Sequence, residues 1–210
     1  MKRRLFLAST VVAALAVLSV SSCRKDPLKD MTAEESRIYV TNYDNNVDFK
    51  SYHTFSIVDS VAVLSNSKDP KKESTDYDKA LIAAVKKGMQ DKGFTLVDKS
   101  AKPELAINLS RIDNTFSSIY YNPGYWSGGL GYWDTGYWGY PGYGYFWPSY
   151  YTVYSRERSV AIDMVDLKNK QDNKLTAIWN AMFRGTGVWN TENVDSMTQA
   201  VFDQSPYLKH

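Results

Sequence analysis

The chain has 210 residues, room for one domain with appendages and too few for two of ordinary size. Its 25 Lys+Arg against 23 Asp+Glu, a net +2 at pH 7, exclude both the basic excess of a nucleic-acid binder and the acidic excess of a disordered tail. One cysteine and two histidines exclude a disulfide framework and a Cys/His zinc cluster by count.

Lys2, Arg3 and Arg4 precede an uncharged, largely apolar run from Leu5 to Val20, the layout of a secretory signal. That run is short for a bilayer-spanning helix, which takes about 20 residues. Val20-Ser21-Ser22-Cys23 then resembles a bacterial lipobox: an aliphatic residue, two small ones that lie extended in the peptidase cleft, and a thiol that accepts a diacylglycerol thioether. Residues 1–22 are therefore expected to be a lipoprotein signal peptide. Cys23 is expected to be the acylated first residue of the mature chain, and residues 23–36 a polar tether. Without Lys2, Arg3 and Arg4 the basic count falls from 25 to 22 against 23 acids, so the mature net charge is −1. A processed lipoprotein cysteine carries two or three acyl chains, enough for stable anchoring. Aspartate directly after the cysteine commonly signals inner-membrane retention in enteric bacteria. Arg24 stands there, so the expected location is the outer membrane, facing the periplasm or the surface.

The domain is expected over residues 37–206. Residues 37–41 read as an extended stretch, and Tyr52 to Val58, rich in β-branched and aromatic residues, as a strand. Residues 65–75 read as a polar loop. Thr75 with Asp78 has the spacing of a capping box, and Tyr77, Leu81, Val85 and Met89 recur at i+4, so a helix is expected to run from there to a stop at Gly93. Strands follow at 94–97 and 105–112. In the latter Leu105, Ile107, Leu109 and Ile112 are apolar and Asn108, Ser110 and Arg111 polar, which predicts one solvated face. Residues 159–166 and 175–183 form a hairpin across a polar turn at 168–173. A last helix starts near Thr191, with Val194, Met197 and Val201 on one face, and ends at Ser205-Pro206. The expected fold class is α+β: a two-layer sandwich of a mixed sheet with both helices on one face. The strands flanking the first helix pair in parallel.

These pieces carry a resemblance. The lipobox, Tyr52-His53-Thr54-Phe55, Gly93-Phe94, Pro103-Glu104-Leu105, Ile162-Asp163-Met164-Val165-Asp166 and Ile178-Trp179 together resemble the bacterial lipoprotein family called domain of unknown function 4136, over roughly residues 38–205. Glu104 stands where aspartate is usual, and the Arg-Gly pair expected soon after the tryptophan comes only at Arg184-Gly185. The resemblance implies an α/β fold and an envelope location. It implies no established activity and transfers no catalytic residue.

Catalytic chemistry finds little material. A nucleophile–histidine pair has only the strand residue His53 or the terminal His210 to draw on, and lipidation consumes Cys23. Asp163 and Asp166 are the best carboxylate pair. Three apart on a strand, they point to opposite faces, and Asp163 is expected on the solvated one. Asp59-Ser60-Val61 resembles an O-glycosylation acceptor of Bacteroidota at Ser60, a three-residue pattern that chance also supplies.

The unusual feature is a Gly/Tyr/Trp-rich insertion at residues 120–151. It holds 10 of the 16 Tyr, 4 of the 6 Trp and 8 of the 12 Gly, with Asp134 its one charge, and its Gly-Tyr steps are too irregular for a solenoid. Four readings stand. It is a low-complexity loop, a protein-binding surface, a membrane-interface segment, or a stacking platform for glycan or peptidoglycan. The binding readings place Trp126, Trp133, Trp138 and Trp147 on the contact surface. The function expected from all this is a lipid-anchored envelope protein that binds or scaffolds at the outer membrane, without cofactor, metal or nucleic acid. The alternative is an envelope hydrolase using carboxylates.

Overall fold

In the computed structural model of the chain, residues 31–65, 71–113, 119–121, 133–146, 153–155 and 158–210 are described. The signal peptide, Cys23 and most of the tether expected from the sequence lie outside them. The chain divides into two units, Met1–Glu35 and Ser36–His210. Of the first, residues 31–35 form an exposed turn in which the Thr32 N–H and hydroxyl both donate to Glu35 Oε2.

The second unit runs β1 (Ile38–Tyr43), β2 (Thr54–Ile57), β3 (Val61–Leu64), β4 (Lys71–Glu73), α1 (Asp76–Asp91), β5 (Thr95–Leu96), β6 (Leu105–Ile112), β7 (Ile119–Tyr121), β8 (Gly144–Phe146), β9 (Val153–Ser155), β10 (Ser159–Gln171), β11 (Lys174–Arg184) and α2 (Val194–Asp203). The backbone of the sheet is the β10–β11 hairpin. It is longer than its apolar runs predict because Asp172 and Asn173 close it as a two-residue turn, both at positive φ (49° and 55°). That geometry matches strand twist, and Asp and Asn tolerate it. The polar stretch 168–171, expected as turn, is therefore strand.

Strands follow the order β1-β11-β10-β6-β2-β5. β6 has β10 antiparallel on one side. On the other it has β2 and β3 in succession, both parallel, with Phe55 opposite Leu105 and Ala62 opposite Ser110. β2 also pairs in parallel with β5, so the strands flanking α1 are parallel as expected. β4 pairs with β3, which places a strand inside the expected 65–75 loop. β7 and β9 form a separate antiparallel ribbon. The result is an α+β domain on a mixed, nine-stranded open sheet.

Both helices cover one face. Thr75 and Asp78 form the reciprocal capping box at the start of α1, and Gly93, at φ 102°, follows its last turn. The helices meet at Gly88, where a Cβ would lie 2.3 Å from the Phe202 ring. Glycine inside a helix costs about 1 kcal/mol, and here it makes room for that ring. Phe202 in turn stacks on the fully buried Trp179 of β11, whose Nε1 donates to Ser205 Oγ. Arg111 lies on this same face, between Glu73 (2.6 Å) and the buried Asp78 (2.8 Å), with its guanidinium 4.9 Å from the Trp189 ring centre.

The other face departs from the sequence reading. All eight residues of β6 are buried, Asn108 and Ser110 included, and so is Asp163. The face is not solvated because residues 133–146 lie over it.

Candidate functional site

The covered face begins as a row of polar side chains. Register places Asn42, Asn180, Asp163 and Asn108 side by side across β1, β11, β10 and β6. Such neighbours share one face of a sheet. The Asn180 amide donates to Asp163 Oδ1. Left bare, the row would be hydrated. Covered by rings, its groups need protein partners, since an unpaired buried polar group costs about 1–3 kcal/mol.

The cover supplies partners. Trp138 Nε1 donates to Asn108 Oδ1 at 3.1 Å, and Trp133 Nε1 donates to the Leu109 carbonyl at 3.2 Å. Both tryptophans are buried. They are held by a local fold that the glycines permit. Asp134 accepts from the Gly136 N–H and starts a 3-10 turn at 135–138; Gly139 ends it at φ 86°. Gly142, at φ 82° with nothing near the position of a Cβ, makes the next reversal. Thr135 Oγ1 donates to the Tyr143 carbonyl across the two turns, and Tyr140 packs on Tyr143. β8 then pairs in parallel with the start of β11, Phe146 opposite Thr176. Burial pushes the phenol of Tyr145 well above its ordinary value.

The outer side of this cover differs chemically. Tyr137, Tyr140 and Tyr143 are half-buried and Phe146 is exposed. Lysines from four elements lean on these rings. Lys72 of β4 lies 4.5 Å from Trp133 and 5.7 Å from Tyr137. Lys99 lies 4.0 Å from Tyr137, Lys170 of β10 4.7 Å from Tyr140, and Lys174 of β11 5.9 Å from Phe146. An ammonium over a ring face is attracted by the ring quadrupole, by about 0.5–1 kcal/mol at exposed sites. The surface offers flat rings ringed by cations, with Asp59, Asp98 and Asp134 the neighbouring acids.

The motif residues gather elsewhere, around Asp166 midway along β10. Asp166 accepts from the Tyr52 hydroxyl (2.6 Å), the Lys168 and Asn169 backbone N–H groups (2.8 Å each) and Asn169 Nδ2 (3.1 Å). Four donors use up a carboxylate's acceptor sites, so Asp166 acts as a joint between β10 and the entry to β2. Burial, and then the Asp166 hydrogen bond, raise the Tyr52 pKa. Glu104 accepts from the His53 N–H and pairs with Lys168 at 2.9 Å. Burial works to raise its pKa, but Lys168 and the His53 N–H outweigh it and hold the carboxyl below its ordinary value. Asp163 and Asp166 lie on opposite faces, so they share neither a proton nor a ligand. Among the described residues no three His, Cys, Asp or Glu side chains come together to hold a metal.

Of the residues singled out from sequence for the contact surface, Trp133 and Trp138 are instead buried, and their N–H groups are spent on β6. Trp126, Trp147 and Cys23 lie outside the described residues. Ser60 sits half-buried between β2 and β3, donating to Asp59 Oδ1. The four lysines were missed, although their only sequence signal, lysine in otherwise ordinary strands and turns, is slight. No helix among the described residues is long and apolar enough to cross a membrane.

Comparison with known proteins accords with this geometry. A family model described as a domain of unknown function (DUF4136) matches residues 39–207. The chain is similar to a crystal structure of a DUF4136 family protein from Bacteroides thetaiotaomicron VPI-5482. The two are 31% identical with a TM-score of 0.69, over 83% of this chain and 98% of that one. A PelC dodecamer structure from Paraburkholderia phytofirmans aligns at 10% identity and a TM-score of 0.40, over 82% of this chain and 99% of that one. No curated protein matches the chain.

Proposed function

The chain belongs to the DUF4136 family, and on that premise we propose that it is a lipid-anchored protein of the cell envelope, held at the outer membrane through Cys23, which binds or scaffolds and performs no catalysis. The observation that carries this reading is the start of the chain: three cations, an apolar run, and Val20-Ser21-Ser22 leading to its single cysteine. The compact unit begins at Ser36, a short polar stretch beyond that cysteine. Binding falls to the outer side of residues 133–146, where Tyr137, Tyr140, Tyr143 and Phe146 lie beside Lys72, Lys99, Lys170 and Lys174. Trp126 and Trp147 belong to the same aromatic stretch. Rings bordered by cations suit an envelope protein, a glycan or peptidoglycan.

Two comparisons test this. On cell fractionation the Cys23→Ser chain should leave the membrane pellet or persist as precursor. If it pellets at mature size, the anchor reading fails. Affinity capture of the anchored chain should recover envelope material that the combined Lys72→Ser, Lys99→Ser, Lys170→Ser and Lys174→Ser variant loses. Equal recovery would remove this surface from the account.

A further inference from the structure

The nine-stranded sheet treats its edges unequally. β5 has two residues, β8 has three, and β4 is the charged triplet Lys71-Lys72-Glu73. Short or charged strands are the usual protection against strand addition. β1 has neither. It is six residues long, Ile-Tyr-Val-Thr-Asn-Tyr, without charge, proline or bulge, and among the described residues it pairs with β11 alone. Its two ends carry exposed large apolar side chains, Ile38 at 45% and Tyr43 at 41%.

The outward backbone groups can be assigned. The Asp44 N–H donates to the Ile178 carbonyl, on the β11 side. Along an antiparallel strand the inward and outward residues alternate. Asn42, Val40 and Ile38 therefore address β11, while Tyr39, Thr41 and Tyr43 aim their N–H and C=O groups away from the sheet. We infer that this edge pairs antiparallel with β1 of a second copy of the chain, about a two-fold axis at Thr41. Only that register engages all three outward residues of each copy. It sets Thr41 against Thr41 of the second copy, and Tyr39 against Tyr43 of the second copy. Thr–Thr and aromatic–aromatic neighbours are among the favourable cross-strand pairs. Side chains of the joined strands keep their faces, so the two helical layers fall on the same side of one continuous sheet.

The test uses the full chain in detergent. Sedimentation should give twice the monomer mass. Thr41→Pro, which removes an outward N–H, and Thr41→Lys, which keeps it but opposes two cations at the axis, should both return the monomer with an unchanged circular dichroism spectrum. Under mild oxidation Thr41→Cys should form a covalent dimer. Lys79→Cys, on the exposed side of α1, should not, and the unmodified chain reports any link through Cys23. A monomeric chain that gives no Thr41 link, or equal linking at Thr41 and Lys79, would overturn the pairing.

Discussion

Replacing Trp138 by alanine separates a packed cover from a dispensable loop. The side chain is 5% exposed, and its N–H reaches the carbonyl oxygen of the fully buried Asn108 amide. Truncating a buried tryptophan costs about 3–5 kcal/mol in lost transfer energy and cavity. Stranding the Asn108 oxygen adds about 1–3 kcal/mol. A loss of roughly 4–8 kcal/mol is a large part of the 5–15 kcal/mol that typically holds a domain together. Trp138→Phe retains most of the ring and loses only the donor, so it should cost about 1–3 kcal/mol. Urea unfolding reads both. With a slope of roughly 1–3 kcal/mol per molar, the alanine variant should shift the midpoint by more than about 1 M at unchanged slope. A cost under about 0.5 kcal/mol, ordinary for an exposed site, would refute the packing and restore residues 133–146 as a loop outside the fold.

Arg111→Met should be among the most damaging single changes, at about 3–5 kcal/mol, because it leaves the Asp78 carboxylate buried without its cation. Chemical denaturation measures it, and adding Asp78→Asn should recover part of the loss. Burial is the main force raising the phenol pKa of Tyr52, Tyr77 and Tyr145. A raised folded-state pKa gives stability that is complete below the ordinary phenol value near 10 and lost as pH rises through and beyond it. Phenolate absorbance should therefore rise in two stages, the later one coinciding with unfolding. A single reversible stage with the fold intact would contradict the burial.

Local signals were legible in the sequence because their physics is local. Thr75 and Asp78 cap α1 within one turn, Gly93 follows it, and the β10–β11 alternation needs only its own turn. The fate of β6 was not legible. Leu105, Ile107 and Leu109 alternate with Ala106, Asn108 and Ser110, and alternation alone cannot say whether water or another layer meets the polar side. The hint lay in residue type. The residues there are small and uncharged, and a face meant for water more often carries Lys or Glu. Its cover was hidden for a related reason. Tryptophans set among glycines have no helical or strand period, and the pattern that fixes them is a chain of left-handed glycine turns at Gly139 and Gly142. Counting exposed rings raised the need for a partner. That partner, for Trp133 and Trp138, is the protein's own sheet.

Anchoring through Cys23 is the claim on which the envelope reading stands, and intact-mass analysis of the N-terminal peptide from membranes tests it directly. The mature chain should begin at Cys23 and carry a diacylglycerol thioether, with or without an amide-linked acyl group. A mature chain that starts at any other residue, or a Cys23 that bears a free thiol, would contradict it.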